Sequence, residues 1–85
     1  MTFQVKLDPQ VDKFLKKSAP LVAERIKEKL RLLKTEPFQY LEHYEGDYYK
    51  LRIGDYRALI DVDNTRQLIF VRYVDHRSRI YKRFQ

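Results

Sequence analysis

Basic residues in the second half of the chain recur at a spacing that could bring them onto one surface. Lys50, Arg52 and Arg57 flank Gly54-Asp55, and Arg72 follows in the next segment. Apolar and polar residues alternate with period two here, which predicts strands whose side chains two residues apart share a face. Clustered lysine and arginine side chains are suited to holding a phosphate in a fixed geometry. The chemistry expected of this region is therefore anion binding, most simply of phosphate.

The charge distribution of the 85-residue chain supports this expectation. The net charge is +6, and residues 50–85, with nine basic and four acidic groups, account for +5 of it. Seven of the nine lysines precede Lys50, whereas seven of the nine arginines follow it. Lysine is common on solvated helix surfaces, and arginine is preferred where phosphate is gripped. The second half is thus predicted to face a polyanion.

Apolar periodicity predicts the elements that must position these cations. Thr2–Leu7 alternates as a half-buried strand, and Asp8-Pro9 supplies a helix N-cap followed by proline. Ser18-Ala19-Pro20 ends this first helix and starts a second one, in which apolar residues recur at helical spacing. Residues 35–47 lack periodicity and contain proline and glycine, so they are predicted to form a loop. Three strand-like segments follow: Tyr48–Ile53, Tyr56–Val62 and Gln67–Val74.

Turn chemistry predicts how these strands pair. Gly54-Asp55 fits a type II′ hairpin turn, which would place Arg52 opposite Arg57. A turn at Asp63–Arg66 would place Val62 opposite Gln67 and, farther along, Arg57 opposite Arg72. Directly opposed like charges are unfavourable in a sheet. Either these side chains spread into water, with Asp61 or Asp55 partly compensating, or they form an anion site in which aromatic residues such as Tyr48 and Phe70 stack on bases.

The fold class expected from this pattern is α+β, in a single domain over residues 1–85. A mostly antiparallel sheet in the order strand–helix–helix–strand–strand–strand would have the helical hairpin packed on one face and a cationic open face. No cysteine is present, and His43 and His76 lack the spacing of metal ligands, so neither a metal site nor a cofactor is expected. No apolar run approaches the ~18 residues of a membrane span, which favours a cytoplasmic protein with no membrane partner.

The segment Tyr49–Arg57 (YKLRIGDYR), with Asp75–Tyr81 (DHRSRIY) after the last strand, resembles the RelE/ParE toxin superfamily. The element order matches over essentially the whole chain, and the basic residues make it more similar to RelE than to ParE. The resemblance implies a toxin that enters the ribosomal A site and cleaves mRNA. It also implies neutralisation by an acidic RelB-like antitoxin, with a toxin–antitoxin heterotetramer as a possible assembly.

The resemblance assigns catalytic roles to four cations and a tyrosine: Lys50, Arg52, Arg57, Arg77 and Tyr81. Contacts with RNA are further expected from a second set: Arg72, Tyr48, Phe70, His76, Arg79 and Lys82. RNA supplies its own nucleophile, the 2′-OH, so the protein must align it, move protons and stabilise negative charge. Lys50 could act as the base if repulsion from its neighbours favours loss of its proton. The products would be a 2′,3′-cyclic phosphate and a 5′-OH.

Two other functions remain open at this stage. A ParE-like toxin would act by binding DNA gyrase without cleaving RNA, and a basic RNA-binding module would have no catalytic activity. Glu45, where one branch of the family has a basic residue, departs from the RelE pattern. The retained basic residues favour the nuclease over both alternatives.

Overall fold

In the computed structural model, which describes residues 2–80 and residue 82, the chain forms five strands and three helices. The strands are β1 (Gln4–Leu7), β2 (Leu41–His43), β3 (Tyr48–Ile53), β4 (Tyr56–Asp63) and β5 (Leu68–His76). The helices are α1 (Pro9–Lys17), α2 (Pro20–Leu32) and α3 (Pro37–Tyr40). No helix within the described residues is both long enough and apolar enough to cross a membrane.

The two long helices begin at the residues that the sequence predicts. The Asp8 carboxylate accepts a hydrogen bond from the backbone N–H of Gln10 at 3.1 Å, and Pro9 is the first residue of α1. This arrangement caps an otherwise unpaired N–H of the first helical turn. Pro20 likewise opens α2, where its lack of an N–H costs nothing.

The sheet has the strand order β1-β5-β4-β3-β2, in which the β1–β5 pair is parallel and the other three of these pairs are antiparallel. Helices α1 and α2 cover one face of the sheet. The core between these layers consists of buried apolar residues from both helices, from the C-cap of α2 and from β2 to β5: Val11, Leu15, Ala23, Ile26, Leu30, Leu33, Leu41, Leu51, Ile53, Ala58, Ile60, Ile69, Val71 and Val74. The predicted α+β fold with a helical hairpin on one sheet face is confirmed.

The hairpin between β3 and β4 has the predicted register. Arg52 pairs with Arg57, and Ile53 pairs with Tyr56 across the two-residue turn. Gly54 has a φ of 57°, whereas Asp55 is not at positive φ, as a type II′ turn requires. Because neighbours in register share a sheet face, Lys50, Arg52 and Arg57 lie together on the face without helices, hereafter the open face.

The predicted register of the next hairpin is wrong. Val62 pairs with Ile69 rather than Gln67, because the loop comprises residues 64–67, and Gln67 at its end has a φ of 55°. A β-bulge at Leu59/Ile60 then shifts the pairing once more, and Arg72 is the extra residue. As a result Arg57 lies opposite Asp75 and not opposite Arg72.

Residues 35–47, predicted to be a loop, contain both α3 and β2. Strand β2 pairs with β3 at the edge of the sheet, and Glu42 lies directly opposite Lys50. A three-residue strand is too short to give a recognisable period-two pattern, which explains why the sequence did not indicate it. The first strand also begins later than predicted, at Gln4.

Candidate functional site

Three arginines surround the turn between β3 and β4, and we call Arg52, Arg57 and Arg77 the turn-end cluster. Arg52 and Arg57 are register partners on the open face. Arg77 joins them because its backbone N–H donates to the carbonyl oxygen of Asp55 at 2.8 Å, so the chain after β5 continues along the turn. The Arg77 Nε lies 4.0 Å from the Asp55 carboxylate. The structure thus brings Arg77, which follows Arg57 by 20 residues in the sequence, to the same turn as the other two predicted catalytic cations.

The guanidinium of Arg57 is held against the turn. Its Nη1 donates to the carbonyl oxygens of Gly54 and Tyr56, both at 2.7 Å. Arg52 is exposed and makes no ion pair with any residue in the described part of the chain. Arg57 is therefore fixed by the scaffold, and Arg52 is free to engage an anion.

Asp75 is the buried charged residue of this region, with 4% of its surface exposed. Its carboxylate accepts a hydrogen bond from the backbone N–H of His76 at 2.7 Å and forms an ion pair with Arg79 Nε at 3.3 Å. It also lies across from Arg57 in the β4–β5 pairing. A buried carboxylate is tolerated where opposite charges and hydrogen-bond donors compensate it. Asp75 thus supplies negative charge between Arg57 and Arg79.

Lys50 lies two residues before Arg52 on the same strand and the same face. Its Nζ is 3.6 Å from Glu42 Oε2, the register partner on β2. Lys50 is the less exposed member of the pair, with 30% of its side chain accessible against 63% for Glu42. The lysine assigned a catalytic role is therefore paired with a carboxylate of β2.

Four of the residues expected to contact RNA, or to compensate its binding site, form a separate cluster of Tyr48, Asp61, Phe70 and Arg72. Arg72 Nε donates to Asp61 Oδ2 at 2.8 Å, and the guanidinium lies 5.3 Å from the Phe70 ring centre. The hydrogen bond to Asp61 raises the pKa of Arg72 above its ordinary value, so Arg72 stays charged. Tyr48 is the register partner of Asp61.

The cluster of Tyr48, Asp61, Phe70 and Arg72 is displaced from the turn-end cluster along the sheet. Asp61 follows Arg57 by four residues on β4, which corresponds to about 13 Å at the usual rise of a strand. Arg72 consequently does not join Arg52 and Arg57, contrary to the expected convergence of all four cations. Because Glu42, Asp61 and Asp75 are interleaved with the basic residues, a uniformly cationic open face is not confirmed.

His76 lies on the helix-covered side of the sheet. Its ring is 5.7 Å from that of Tyr56, and its Nδ1 accepts the backbone N–H of Ser78 at 3.2 Å. Tyr56 in turn contacts Phe14 of α1 at a ring separation of 6.1 Å. His76 is thereby separated from Lys50 by the sheet itself. Lys82 is exposed, and Tyr81, predicted to be catalytic, lies outside the described residues.

The segment after β5 is anchored on the open face. Leu59 points to this face, since its neighbours Ala58 and Ile60 belong to the core on the other side. Leu59 and Ile80 are both completely buried, although neither belongs to the main core. We interpret their burial as a small apolar contact through which the tail covers part of the open face. Arg77 and Arg79 lie beside the sheet through their contacts with Asp55 and Asp75.

Sequence reasoning missed Glu42 and Asp75 for different reasons. Glu42 falls within residues 35–47, which the sequence predicts as a loop, so its pairing with Lys50 through β2 is not indicated. Asp75 falls just after the last predicted strand, and the bulge that sets it opposite Arg57 is not predicted from the sequence; its spacing of four residues from Arg79 was the available signal. Within residues 2–80 and 82, no group of three or more potential metal ligands comes together.

The family model for the ParE toxin of the type II toxin–antitoxin system parDE matches residues 5–81. No curated protein sequence matches the chain.

Solved toxin structures are similar over nearly the full length. The RelE–RelB complex of the archaeon Pyrococcus horikoshii has a TM-score of 0.78 at 29% identity, covering 93% of this chain and 99% of that one. A mutant of Escherichia coli toxin RelE in the free state has a TM-score of 0.72 at 25% identity, covering 100% of both chains. The RelBE2 complex of Mycobacterium tuberculosis shares the fold, with a TM-score of 0.82 at 21% identity, covering 89% of this chain and 99% of that one.

Proposed function

We propose an mRNA-cleaving activity from one premise: this chain belongs to the ParE toxin family of type II toxin–antitoxin systems. The proposal is that the protein enters the ribosomal A site and cleaves mRNA there by attack of a 2′-OH on the adjacent phosphate. The observation that carries it is the turn-end cluster with Lys50 beside it on the open face. Similarity to solved RelE toxins at 25–29% identity also supports the proposal of mRNA cleavage.

The cluster suits the charge that develops during this reaction. Attack by the 2′-oxygen adds negative charge to the phosphorus-bound oxygens, and preorganised cations stabilise it. Arg57 is already oriented by the carbonyl oxygens of Gly54 and Tyr56, while Arg52 can close on the phosphate. Arg77 would hold the phosphate from the other side of the turn. RNA supplies the nucleophile, so the protein needs no serine or cysteine for this step.

Dependence on the ribosome is part of the proposal. His76, the histidine nearest the cluster in sequence, lies on the other side of the sheet, so the open face lacks a histidine acid–base pair within the described residues. Alignment of the mRNA by the ribosome would supply the positioning that this site does not provide alone. We expect the purified protein to cleave mRNA at the A-site codon of programmed ribosomes, with little cleavage of free mRNA.

Primer extension on mRNA recovered from programmed ribosomes tests this expectation. The wild type should produce a stop within the A-site codon, and the Arg52→Leu variant should greatly weaken it. Equal cleavage of free mRNA, or no cleavage on ribosomes, would contradict the proposal.

One observation favours a second candidate function, because the matching family model is that of ParE. A ParE-like toxin would bind DNA gyrase and would leave mRNA intact. A gyrase supercoiling assay with the same protein preparation separates the two functions. Inhibition of supercoiling together with intact ribosomal mRNA would establish the gyrase alternative.

We also propose that an acidic RelB-like antitoxin binds this chain, as RelB binds RelE in the Pyrococcus horikoshii complex. A shallow groove between β1 and α2 has an apolar floor of Val5, Leu7 and Leu30. Three cations border it: Lys27, Arg31 and Lys34. Strand β1 is at the edge of the sheet, so it can pair with an added strand. An acidic amphipathic segment would match both the floor and the rim.

A further inference from the structure

Glu42 and Lys50 form an ion pair on the open face, next to the turn-end cluster. They are register partners on β2 and β3, with Lys50 Nζ 3.6 Å from Glu42 Oε2. Arg52 follows Lys50 by two residues on the same face, about 7 Å away at the usual rise of a strand. Glu42 and Lys50 are therefore close enough to Arg52, which is proposed to hold the phosphate, to contact the same nucleotide.

The two members of this pair have opposite capacities for proton transfer. As an ammonium group, Lys50 has protons to donate and no lone pair to accept one, whereas an ionised glutamate only accepts. Cleavage by a 2′-OH needs one proton removed from the nucleophile and one delivered to the leaving 5′-oxygen. A Glu–Lys pair contains one group for each task.

Other carboxylates of this region are less suited to the task. Asp61 and Asp75 are each paired with an arginine, at 2.8 and 3.3 Å, and Asp55 lies 4.0 Å from Arg77. An arginine side chain does not give up its proton in proteins, so none of these pairs can exchange one. Glu42 differs because its partner is a lysine, which can lose a proton and regain it.

We propose that Glu42 is the general base of the cleavage reaction, a role that rests on the mRNA cleavage proposed above. Glu42 takes the proton of the 2′-OH as the 2′-oxygen forms its bond to phosphorus. The bond between phosphorus and the 5′-oxygen breaks, and Lys50 gives a proton to that oxygen. The products are a 2′,3′-cyclic phosphate and a 5′-OH, leaving Glu42 protonated and Lys50 neutral. Transfer of one proton from Glu42 to Lys50 restores the ion pair.

A substrate with sulfur in place of the bridging 5′-oxygen separates the two roles. A thiolate leaves without protonation, so this mRNA needs the base but no longer needs the acid. On ordinary mRNA in programmed ribosomes, Glu42→Gln and Lys50→Met should each lower the single-turnover rate about 100-fold or more. On the sulfur-containing mRNA, Lys50→Met should return to near the wild-type rate, while Glu42→Gln should remain slow.

The controls address folding and substrate. Glu28→Gln, the same change on the exposed side of α2, should leave the rate unchanged, and equal urea midpoints would show that Glu42→Gln folds. A 2′-deoxy nucleotide at the cleaved position should abolish cleavage by the wild type.

Each outcome supports or overturns the role of Glu42. If the sulfur substrate restores Glu42→Gln as fully as Lys50→Met, Glu42 acts only by positioning Lys50 and is not the base. A wild-type rate for Glu42→Gln on ordinary mRNA also overturns the proposal. If the wild type itself does not cleave ribosome-bound mRNA, the proposed function fails first, and that result is visible without any variant.

Discussion

Arg57 lies directly between Arg52 on β3 and Asp75 on β5, so one arginine faces a like charge on one side and an opposite charge on the other. The repulsion between the two arginines is thereby offset within the same three-stranded row. Asp75 is buried and also pairs with Arg79, which extends the alternation of charge into the tail. This arrangement explains how two adjacent arginines are tolerated side by side.

Replacing Arg52 with leucine separates the site from the scaffold. Arg52 is exposed and faces Arg57, so its removal relieves a like-charge pair worth roughly 0.2–1 kcal/mol. We expect Arg52→Leu to unfold at an equal or higher urea midpoint. Loss of one donor for the developing charge should lower cleavage of ribosome-bound mRNA about 100- to 1,000-fold.

Arg25→Leu, a matched change on the exposed side of α2, is the control for Arg52→Leu and should leave cleavage unchanged. Arg57→Leu, unlike these two variants, should lower the urea midpoint, because the hydrogen bonds from its guanidinium to Gly54 and Tyr56 stabilise the turn. A large drop in the urea midpoint for Arg52→Leu would show that Arg52 is a structural residue, and full activity would show that it does not belong to the catalytic site.

Asp75→Asn tests whether the buried carboxylate stabilises the fold by compensating the charges of Arg57 and Arg79. Asparagine keeps the size and an acceptor oxygen but removes the negative charge that faces Arg57 and Arg79. We expect the free energy of unfolding to fall by about 1–3 kcal/mol, measured by urea denaturation. Asp12→Asn, which breaks an exposed ion pair with Lys16 on α1, should cost less than about 1 kcal/mol. Equal losses in the two variants would contradict a special role for Asp75.

The contrast between the two hairpins indicates how far sequence determines register here. The turn between β3 and β4 has two residues and a glycine at positive φ, so only one pairing is possible, and it was predicted correctly. The next loop ends on Gln67 at positive φ. Residues other than glycine rarely adopt this conformation, so the glutamine gives no sign in the sequence that the loop ends there. The bulge at Leu59/Ile60 depends on how β5 packs between β1 and β4, which no local pattern encodes.

The candidate site divides in the same way. Lys50, Arg52 and Arg57 depend on one tight turn, and their shared face followed from the sequence. Glu42 and Asp75 enter through pairings with distant segments, β2 and the end of β5. Periodicity reports which residues share a face within an element, but it does not identify which element becomes its neighbour.

The contact between the tail and the open face predicts a cost for shortening Ile80. Its side chain is completely buried outside the main core, as is that of Leu59. We expect Ile80→Ala to lower the free energy of unfolding by about 2–4 kcal/mol, because it leaves a cavity over the sheet. Leu21→Ala, at a leucine that is 73% exposed, should change it by less than about 0.5 kcal/mol. Urea denaturation of both variants measures the difference. Indistinguishable midpoints would show that the tail contributes nothing to the fold.

Recognition of the proposed antitoxin should depend strongly on salt. The groove between β1 and α2 is bordered by Lys27, Arg31 and Lys34, and electrostatic attraction accelerates association at low ionic strength. We expect the association rate with the proposed acidic antitoxin to fall about 10-fold or more from low to high salt. Changing all three cations to glutamine should remove most of this dependence while leaving the apolar floor of the groove in place.

A triple variant of α1 controls for the loss of net charge in that experiment. Lys13, Lys16 and Lys17 are exposed on α1, and changing them to glutamine removes the same three charges from another surface. If antitoxin recognition depends on the groove, the α1 variant should keep most of the salt dependence, because it retains the three groove cations and charges farther than about a Debye length from the antitoxin contribute little. Equal effects of the two triple variants would mean that only total charge matters. Association that is insensitive to salt in the wild type would contradict electrostatic recognition altogether, and would leave the apolar floor of Val5, Leu7 and Leu30 as the basis for binding.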